Sequence, residues 1–231
     1  MIIFNGIDLQ DIVPVKIEDI RVSPMDISPV TRQRVGIGQD YVRMTGGQRT
    51  VSITFALLTE DKNERYRQLE MIKEWARPWD ECPLILPMFD DRYLSCRCIK
   101  FPEPSYRQWW EGKLRIVFST FENPYWTSNE EIRVNTNTAL TVGGNAPPLM
   151  RIERRLTSRV ANQTYSCNGR VMLFSQIPAG NMKIDLNKQT AEVSGTSFMQ
   201  YYGKTSRFIV PQTGNMTISG TGTIIYRERW V

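Results

Sequence analysis

The stretch that decides the fold is Lys113–Trp126, KLRIVFSTFENPYW. Within it, Leu114, Ile116 and Phe118 alternate with residues of mixed character, and this period of two is typical of a half-buried β-strand. Pro124 then ends the strand, because proline has no N–H group to donate to a sheet. We therefore expect this stretch to close a β-rich module, with its final aromatic pair anchoring the exit of the chain.

Upstream of this strand, the sequence predicts another amphipathic strand and a single helix. In residues 49–58, RTVSITFALL, large apolar side chains also occur at every second position. Asp61 and Glu64 are spaced for a capping box with Asp61 as the N-cap, and Pro78 follows the helical stretch. We expect the helix to cover a sheet with its apolar face. That face carries Tyr66, Leu69, Ile72, Trp75 and Ala76.

Shorter elements complete this first module. Asn5-Gly6 indicates a tight turn in an opening hairpin, and residues 16–22 form a strand whose alternation is poor. Residues 84–89 predict a further strand, and Asp90-Asp91 predicts the turn to a returning strand. We expect no metal at these two acids, since aspartate is common in hairpin turns.

The segment Ile20–Tyr41 is polar and contains proline and glycine. It predicts an arm or a long hairpin rather than a core element. An arm of this kind would reach a neighbouring subunit, whereas a mobile loop fits the same composition equally well.

The second module is predicted to contain only short strands. Residues 127–148 are rich in Asn, Thr and Gly and read as a linker, and Asn168-Gly169 is one of several turn dipeptides beyond it. Even spacing of strands and turns indicates a β-sandwich or jelly roll. The predicted strands are residues 149–156, 163–166, 170–174, 182–186, 190–193, 207–210, 216–219 and 223–229.

The fold class predicted from these patterns is mainly β with two domains. The first, residues 1–131, is expected to be a β-sandwich with one helix and a hairpin arm. The second, residues 132–231, is expected to be a β-sandwich of jelly-roll type. A chain of 231 residues is long enough for two such domains.

The composition argues against most enzyme classes. The chain has no histidine, which removes the usual general base and the commonest zinc ligand. The four cysteines, Cys82, Cys96, Cys98 and Cys167, form no disulfide framework, and we expect free thiols. Cys96 and Cys98 are interpreted as small core residues in preference to a metal or redox pair. No catalytic residue, metal or cofactor is predicted.

The charge and the hydrophobic pattern suggest a protein assembled in a cytoplasm. The net charge is +5, but Lys and Arg form no run, so an interface or solvated face is favoured over a nucleic-acid patch. No apolar stretch approaches the ~20 residues of a membrane span. The N-terminus lacks the pattern of a signal peptide.

Candidate interface residues are chosen by type and by neighbouring turns. Paired tryptophans at Trp109 and Trp110 suit interface anchors, although capping of a sandwich edge is an equal alternative. The remaining candidates for an interface between copies of the chain are Arg32, Arg34, Tyr41 and Arg49.

The order of these elements resembles distal tail proteins of siphophages. The matching features are FNGIDLQDI, the Gly-rich hairpin before RTVSITFALL, the helix ending in KEWARPWD, and WWEGKLRIVFSTFENPYW. In the second module, PLMRIERRL, a CNG turn, MKIDLNKQTAEV and IIYRERW resemble the galectin-like C-terminal domain of that family. The resemblance covers essentially the whole chain and lies in the order of elements.

The resemblance implies a structural protein at the tip of a phage or prophage tail. Such proteins form hexameric rings, single or back-to-back, that join the tail tube to a tail-associated lysin and to receptor-binding or baseplate proteins. DNA passes through the ring without specific binding. The implied site of assembly is the bacterial cytoplasm.

One departure from galectins weakens a sugar-binding role. Galectins bind sugar through a His-Asn-Arg set and a Trp-Glu-Arg set, and this chain has no histidine and a different order in Arg227–Trp230. Tyr201 and Tyr202, expected to be exposed, are the candidates for glycan stacking. An accessory module that attaches to bacterial cell walls is therefore the alternative function, and carboxylate-based glycoside hydrolysis ranks last.

Overall fold

The structure is a computed structural model that describes residues 1–25, 27–34, 38–102 and 113–231, with the backbone alone for 27–34 and 38–46. It is mainly β, as predicted. The chain divides into two compact units, Met1–Trp126 and Thr127–Val231. The sequence placed this boundary five residues later, after residue 131.

The first unit contains nine strands and two helices among its described residues. In chain order they are β1 (Ile3–Phe4), β2 (Ile7–Asp8), α1 (Leu9–Ile12), β3 (Val15–Val22), β4 (Ile27–Arg34), β5 (Gly38–Gly46), β6 (Thr50–Leu57), α2 (Lys62–Trp75), β7 (Cys82–Leu86), β8 (Phe89–Lys100) and β9 (Lys113–Ser119). A short strand, β10 (Trp126–Ser128), lies where the two units meet in sequence.

Two antiparallel sheets and α2 enclose the core of this unit. One sheet has the order β2-β1-β7-β8 and the other the order β3-β6-β9-β8. Phe4 comes from the first sheet, Phe118 from the second and Trp75 from α2, and all three are buried. The Phe4 and Phe118 ring centroids are 4.9 Å apart, and Trp75 lies edge-on to both. The predicted β9 is confirmed with its apolar face inside.

The arm is a separate two-stranded ribbon, inserted in the chain between β3 and β6. Strand β3 pairs with β6 up to Val22 opposite Val51, and β4 then pairs with β5 from Ile27 opposite Gly46. Among the described residues, β4 and β5 form a two-stranded sheet that no other strand joins. At about 3.4 Å per residue, eight residues of β4 extend roughly 27 Å. The hairpin alternative for this segment is therefore the one observed.

A bulge explains the poor alternation seen in β3. Its pairing with β6 slips between Ile17 and Asp19, so Glu18 is an extra residue in the ladder. One extra residue moves the following side chains to the opposite face. The sequence pattern is therefore interrupted although the strand is continuous.

Helix α2 begins as predicted but without a closed capping box. The Asp61 side chain accepts a hydrogen bond from the backbone N–H of Asn63 at 3.0 Å. The N–H of Asp61 donates to Thr59 Oγ1, and the Glu64 carboxylate accepts from the side chain of Gln68 instead. Leu69, Ile72, Trp75 and Ala76 are buried as expected, but the prediction for Tyr66 is wrong, since it is 52% exposed.

Two local predictions in the first unit are corrected. The turn between β7 and β8 is at residues 87–88, with Leu86 opposite Phe89, so Asp90 and Asp91 lie inside β8. Pro87 makes this turn, because its fixed φ suits the first turn position. The sequence also missed the four-residue α1, which Asp8 caps through the N–H of Gln10.

The second unit has ten further strands and one short 3₁₀ helix, Met199–Tyr201. The strands are β11 (Ile132–Asn135), β12 (Ala139–Val142), β13 (Ala146–Leu156), β14 (Val160–Cys167), β15 (Arg170–Ile177), β16 (Gly180–Asp185), β17 (Thr190–Val193), β18 (Thr196–Ser197), β19 (Gly214–Thr217) and β20 (Thr223–Trp230).

One large antiparallel sheet and two hairpin sheets surround the core of this unit. The large sheet has the order β11-β20-β13-β16-β17-β18, and the smaller sheets pair β12 with β19 and β14 with β15. Tyr165 and Phe174 of the smaller sheets and Ile152 and Ile184 of the large one are fully buried in a single cluster. The Tyr165 hydroxyl donates to the Thr221 carbonyl at 2.9 Å, which satisfies its polar atom inside the core.

Two predictions for the second unit are wrong. Residues 127–148 are not a linker, because β11, β12 and the start of β13 lie there. Residues 207–210 form no strand, although Phe208 and Ile209 are buried. Their side chains fill the core from a loop, which gives the same apolar pattern as a short strand.

Candidate assembly surface

A cleft of about 590 Å³ opens at the C-terminal end of α2. Its walls come from the last turn of α2, the following loop and the end of β8, including Arg77, Trp79, Arg97 and Phe101. Trp79 is 81% exposed, more than any other large apolar side chain described. We call this feature the Trp79 cleft. An exposed tryptophan beside arginines has the composition of an interface anchor.

The end of the helix explains why Trp79 points outward. Trp75 is the last residue of α2 and Ala76 its C-cap, both buried, so the apolar face of the helix ends there. Pro78 then prevents helix continuation, since it has no N–H group. Arg77 pairs with Glu74 at 3.1 Å, and the Trp79 carbonyl accepts a hydrogen bond from Arg97 Nη1 at 3.3 Å.

Further apolar side chains extend the surface around the Trp79 cleft. Phe101, which lines the cleft, and Phe121 are both exposed. The Arg97 guanidinium lies 4.3 Å from the centre of the Phe121 ring, a cation–π contact. The Glu81 carboxylate fixes this loop by accepting the backbone N–H groups of Phe121 and Glu122. Several apolar side chains held in place on one surface indicate a binding face.

Arg49 is buried at the base of the arm. The residue is 6% exposed, and its Nε atom has no hydrogen-bond partner among the residues that the structure describes. Burial lowers the pKa of the Arg49 guanidinium, because a charged group is less stable away from water. The backbone is well held, with the Arg49 N–H donating to Thr120 Oγ1 at 2.9 Å and the Thr120 N–H to the Arg49 carbonyl at 3.0 Å.

The other predicted interface residues fall on or near the arm. Arg32 and Arg34 lie in β4 and Tyr41 in β5, where Arg32 is opposite Asp40 in the ladder. Trp109 and Trp110 lie outside the described residues. The structure thus places three of the predicted residues on one ribbon and Arg49 at its base, and their role in an interface stays a prediction.

Tyr201 and Tyr202 are less available than the sequence suggested. Both are half-buried and pack against the core of the second unit. The Tyr202 ring stacks on Phe208 at 4.9 Å between centroids and contacts Phe174 at 5.3 Å. Its hydroxyl is buried and has no hydrogen-bond partner in the described part of the chain. The two residues were expected to be exposed, and instead they fill space between β15 and the loop before β19.

Two of the cysteines, Cys96 and Cys167, are buried, and Cys82 and Cys98 are half-buried. Cys82 is opposite Cys96 in the β7–β8 ladder, and all four cysteines are free thiols. Burial raises the pKa of Cys96 well above its ordinary value and that of Cys98 to about 11. Such thiols are poor nucleophiles near neutral pH. Within the described ranges, no group of three or more acidic or cysteine side chains is arranged to hold a metal ion.

In the second unit, arginines converge on one carboxylate. Glu131 lies 2.8 Å from both Arg133 and Arg151 and 3.9 Å from Arg227. Partial burial of Glu131 acts to raise its pKa, but the hydrogen bonds from Arg151 and Arg133 outweigh it and the pKa is lowered. The network ties β11, β13 and β20 together across the sheet.

Sequence reasoning missed Trp79. It sits in KEWARPWD, four residues after the last buried helix tryptophan and directly after a proline. A tryptophan beyond a proline cannot continue the apolar face of the helix, and that position is the signal that could have identified it. Its neighbours Arg97 and Phe101 come from a distant strand end, which no local pattern reveals.

Comparisons with known proteins support the fold. No protein-family model and no curated protein matches the chain. The crystal structure of the Dit protein of phage SPP1, described as a paradigm of the hub adsorption apparatus of phages infecting Gram-positive bacteria, matches with a TM-score of 0.77 and 15% identity, over 100% of this chain and 98% of that one. The phage p2 baseplate, in its activated conformation with strontium, matches with a TM-score of 0.45 and 12% identity, over 93% and 90%. The match to the SPP1 Dit protein covers both units, so the shared fold includes the whole chain.

Among the described residues, no helix combines the length and the apolar character that crossing a bilayer requires.

Proposed function

We propose that this chain is a structural distal tail protein of a phage or prophage, forming a hexameric ring at the tail tip. In this role it joins the tail tube to the baseplate or tail-tip proteins and to receptor-binding or lysin components. It is assembled in the cytoplasm of the bacterial host and acts in the virion. DNA passes through the ring without base-specific contacts, and the protein performs no catalysis.

The observation that carries this proposal is the likeness to the SPP1 Dit protein over the whole of both chains. A partial match would be explained by either domain alone, since β-sandwiches are common to many unrelated proteins. A match through both units, in the same order, favours a similar structural role in a phage tail.

The arm supports an assembly role on physical grounds. A two-stranded ribbon alone is marginally stable in water, because it buries little apolar surface. Strands β4 and β5 have no other strand beside them in the described chain, so a neighbouring molecule is the natural source of the missing contacts. A ring needs heterologous interfaces, in which one surface of each copy contacts a different surface of the next. The arm and the Trp79 cleft are two such different surfaces.

The native mass tests the proposal directly. One chain is 26.8 kDa, so a ring of six has a mass of about 161 kDa. We expect this mass by mass photometry of the purified protein, and six-fold rings in negative-stain images. A single 26.8 kDa species at concentrations up to 100-fold above that of the first measurement, with no ring on incubation with tail-tip proteins, would contradict the hexamer.

A further inference from the structure

Two cysteines stand opposite each other where β7 meets β8. Cys82 is the first residue of β7, and its partner in the antiparallel ladder is Cys96 of β8. Directly opposite residues of an antiparallel pair project from the same face of the sheet. The charge of a Cys82 thiolate is one of the causes that raise the pKa of Cys96, which agrees with two neighbouring thiols. The fold thus brings together two thiols that are separated by the whole of the β7–β8 turn.

The backbone at this pair has the spacing of a disulfide. The Asn5 N–H donates to the Pro83 carbonyl at 3.0 Å, so the backbone polar groups of Pro83 point toward β1. Those of Cys82 point toward β8, because the direction alternates along a strand, and Cys82 and Cys96 are therefore a hydrogen-bonded pair. The Cα atoms of such a pair are about 5.5 Å apart, which is also the commonest Cα separation in disulfides.

A small adjustment at Cys82 is enough to join the two sulfur atoms. The Cβ atoms of opposite residues are roughly 4.5–5.5 Å apart, against roughly 3.5–4.5 Å in disulfides. Cys82 is at the start of β7, and the ladder with β8 has a register shift between Leu84 and Leu86. The regular pairing around Cys82 is therefore short, so this strand end is the one that can move closer.

The other cysteines are less suited to pair with Cys96. Cys98 is two residues further along the same strand, where Cα atoms are about 6.8 Å apart, at the upper limit for disulfides. Cys167 belongs to the second unit. The ladder therefore singles out Cys82 as the partner of Cys96.

We propose that Cys82 and Cys96 form a reversible disulfide when the protein meets an oxidising disulfide compound of low molecular mass. The Cys82 thiolate, the more exposed of the two, attacks one sulfur of the compound and displaces its other half as a thiolate. The Cys96 thiolate then attacks the Cys82 sulfur and displaces the second half. The protein loses two electrons and two protons in total, and the compound is reduced to two thiols.

The surroundings of the pair make this reaction slow near neutral pH. Burial raises the pKa of the Cys82 thiol, and the charge of Asp80 raises it further. Thiolate is the attacking species, so the rate increases with pH. In a reducing cytoplasm the two cysteines stay free thiols, and oxidation belongs to the surroundings outside a cell. That this chain reaches such surroundings, as part of a virion, rests on the proposed function, whereas the pairing itself does not.

The disulfide fixes one end of the loop that carries Trp79. This loop leaves the buried Ala76 at the end of α2 and enters β7 at Cys82. The new bond ties its second end to β8, beside Glu81, whose carboxylate already accepts the N–H groups of Phe121 and Glu122. The oxidised protein therefore holds the Trp79 loop more rigidly than the reduced one.

The proposal is tested on the purified full chain by peptide mass spectrometry. The protein is incubated at pH 8.5 with oxidised glutathione or with the smaller 2-hydroxyethyl disulfide, and the remaining thiols are blocked with iodoacetamide in denaturant. Trypsin places the three cysteines of the first unit in separate peptides, residues 74–92, 93–97 and 98–100. A bond between Cys82 and Cys96 joins the first two peptides, with a mass two hydrogen atoms below their sum.

We expect the joined peptides in at least ~10-fold excess over the separate ones, and their separation by dithiothreitol. Cys82→Ser should abolish the joined form. The matched control is Cys98→Ser, which also removes a half-buried thiol of the first unit and should leave the joined form unchanged. Because the bond closes a loop of about 15 residues, the equilibrium constant for urea unfolding of the first unit should fall roughly 100-fold on oxidation.

Free thiols at Cys82 and Cys96 after treatment with both compounds would overturn the proposal, as would a bond that forms only in urea-unfolded protein. A bond between the peptides 93–97 and 98–100 would assign the oxidation to Cys96 and Cys98 and would overturn it equally. Native mass is recorded before and after oxidation. A protein that forms the disulfide but no ring supports the pairing and counts against the hexamer, so the two proposals fail separately.

Discussion

At the scale of single residues, the burial of Arg49 lowers the free energy of unfolding, because its surroundings do not offset the loss of hydration. The residue is 6% exposed, and its buried Nε atom has no hydrogen-bond partner among the described residues. Burying a donor atom of a charged group without a hydrogen-bond partner is unfavourable. An apolar side chain of similar length would avoid this cost and keep the backbone hydrogen bonds to Thr120.

We therefore expect Arg49→Met to raise the free energy of unfolding by about 1–2 kcal/mol. The measurement is urea denaturation at a concentration where each variant is monomeric. Arg115→Met is the control, since Arg115 is exposed and bonds only Ser52 among the contacts described, and its effect is expected within about 0.5 kcal/mol. Destabilisation by Arg49→Met would mean that the guanidinium is satisfied by water in solution. If Arg49 also contributes to the ring, as the sequence predicted, the stabilised variant will form fewer rings.

At the scale of elements, the arm and the Trp79 cleft can be tested separately, the arm by deletion and the cleft by substitution of Trp79. Residues 26–47 can be replaced by Asn-Gly, a dipeptide suited to a two-residue hairpin turn, which leaves residues 23–25 and 48–50 to extend the two strands equally. The ladder between β3 and β6 ends before this segment, at Val22 and Val51, so the body of the unit is left intact.

We expect the shortened protein to fold and to remain monomeric. Its near-ultraviolet circular dichroism should match that of the full chain, because the buried aromatic cluster is unchanged. Its mass by light scattering should be that of one chain at concentrations where the full chain forms the ring. A ring of unaltered stability would show that the arm serves another partner.

The Trp79 cleft is tested by Trp79→Ser. Because this side chain is exposed, its loss should change the free energy of unfolding by less than about 0.5 kcal/mol. If it anchors an interface, the dissociation constant of the ring should rise by at least about 30-fold, as expected for a hot spot worth ~2 kcal/mol. Analytical ultracentrifugation gives this constant.

Leu58→Ser is the matched control for Trp79→Ser. Leu58 is also exposed, at 62%, and it does not line the Trp79 cleft. Its effect on ring formation is expected to be small. An equal weakening by both variants would indicate a general effect of apolar surface.

The sequence predicted elements well where local signals were strong. Strand β9 was predicted from the alternation of its apolar residues, and helix α2 from the helical spacing of its apolar residues together with its N-cap. The Asn5-Gly6 turn was predicted because asparagine and glycine favour the positive φ that both residues have. The turn at residues 87–88 was missed because the Asp90-Asp91 pair gave a competing signal. Strands β11 and β12 were missed because they lie in a segment rich in Asn, Thr and Gly, whose composition is typical of a linker.

The candidate site was much less accessible to prediction. The arm was identified by its composition, but the Trp79 cleft joins a helix end to a strand end far away in sequence. Tyr201 and Tyr202 were expected at the surface because a polar, Gly-containing loop surrounds them. Their rings are instead needed in the core, where Phe174 and Phe208 provide partners.

At the scale of the whole molecule, the Glu131 network makes stability depend on pH in the second unit. The pKa of Glu131 is lower in the folded state than its ordinary value of 4.5. The folded state therefore gains stability from the ionised carboxylate above pH 4.5, and this gain is lost as the pH falls through the folded pKa.

We expect the melting temperature of the second unit to fall as the pH decreases below about 4.5, and to do so less steeply in Glu131→Gln. Calorimetry from pH 3 to pH 7 provides the measurement. Glu130→Gln is the control, because Glu130 is exposed and is not part of the network. Parallel pH curves for the protein and Glu131→Gln would show that other carboxylates control the acid transition.

The construction of the arm as a ribbon of its own, β4 paired with β5, gives it an adjustable length. Because side chains alternate along a ribbon, adding two residues to each strand near the tip preserves which face every earlier residue occupies. Each such addition lengthens the ribbon by about 7 Å, and removal of two residues shortens it equally. A protein built in this way can match neighbours of different spacing by paired insertions alone, while the body that holds the ribbon stays unaltered.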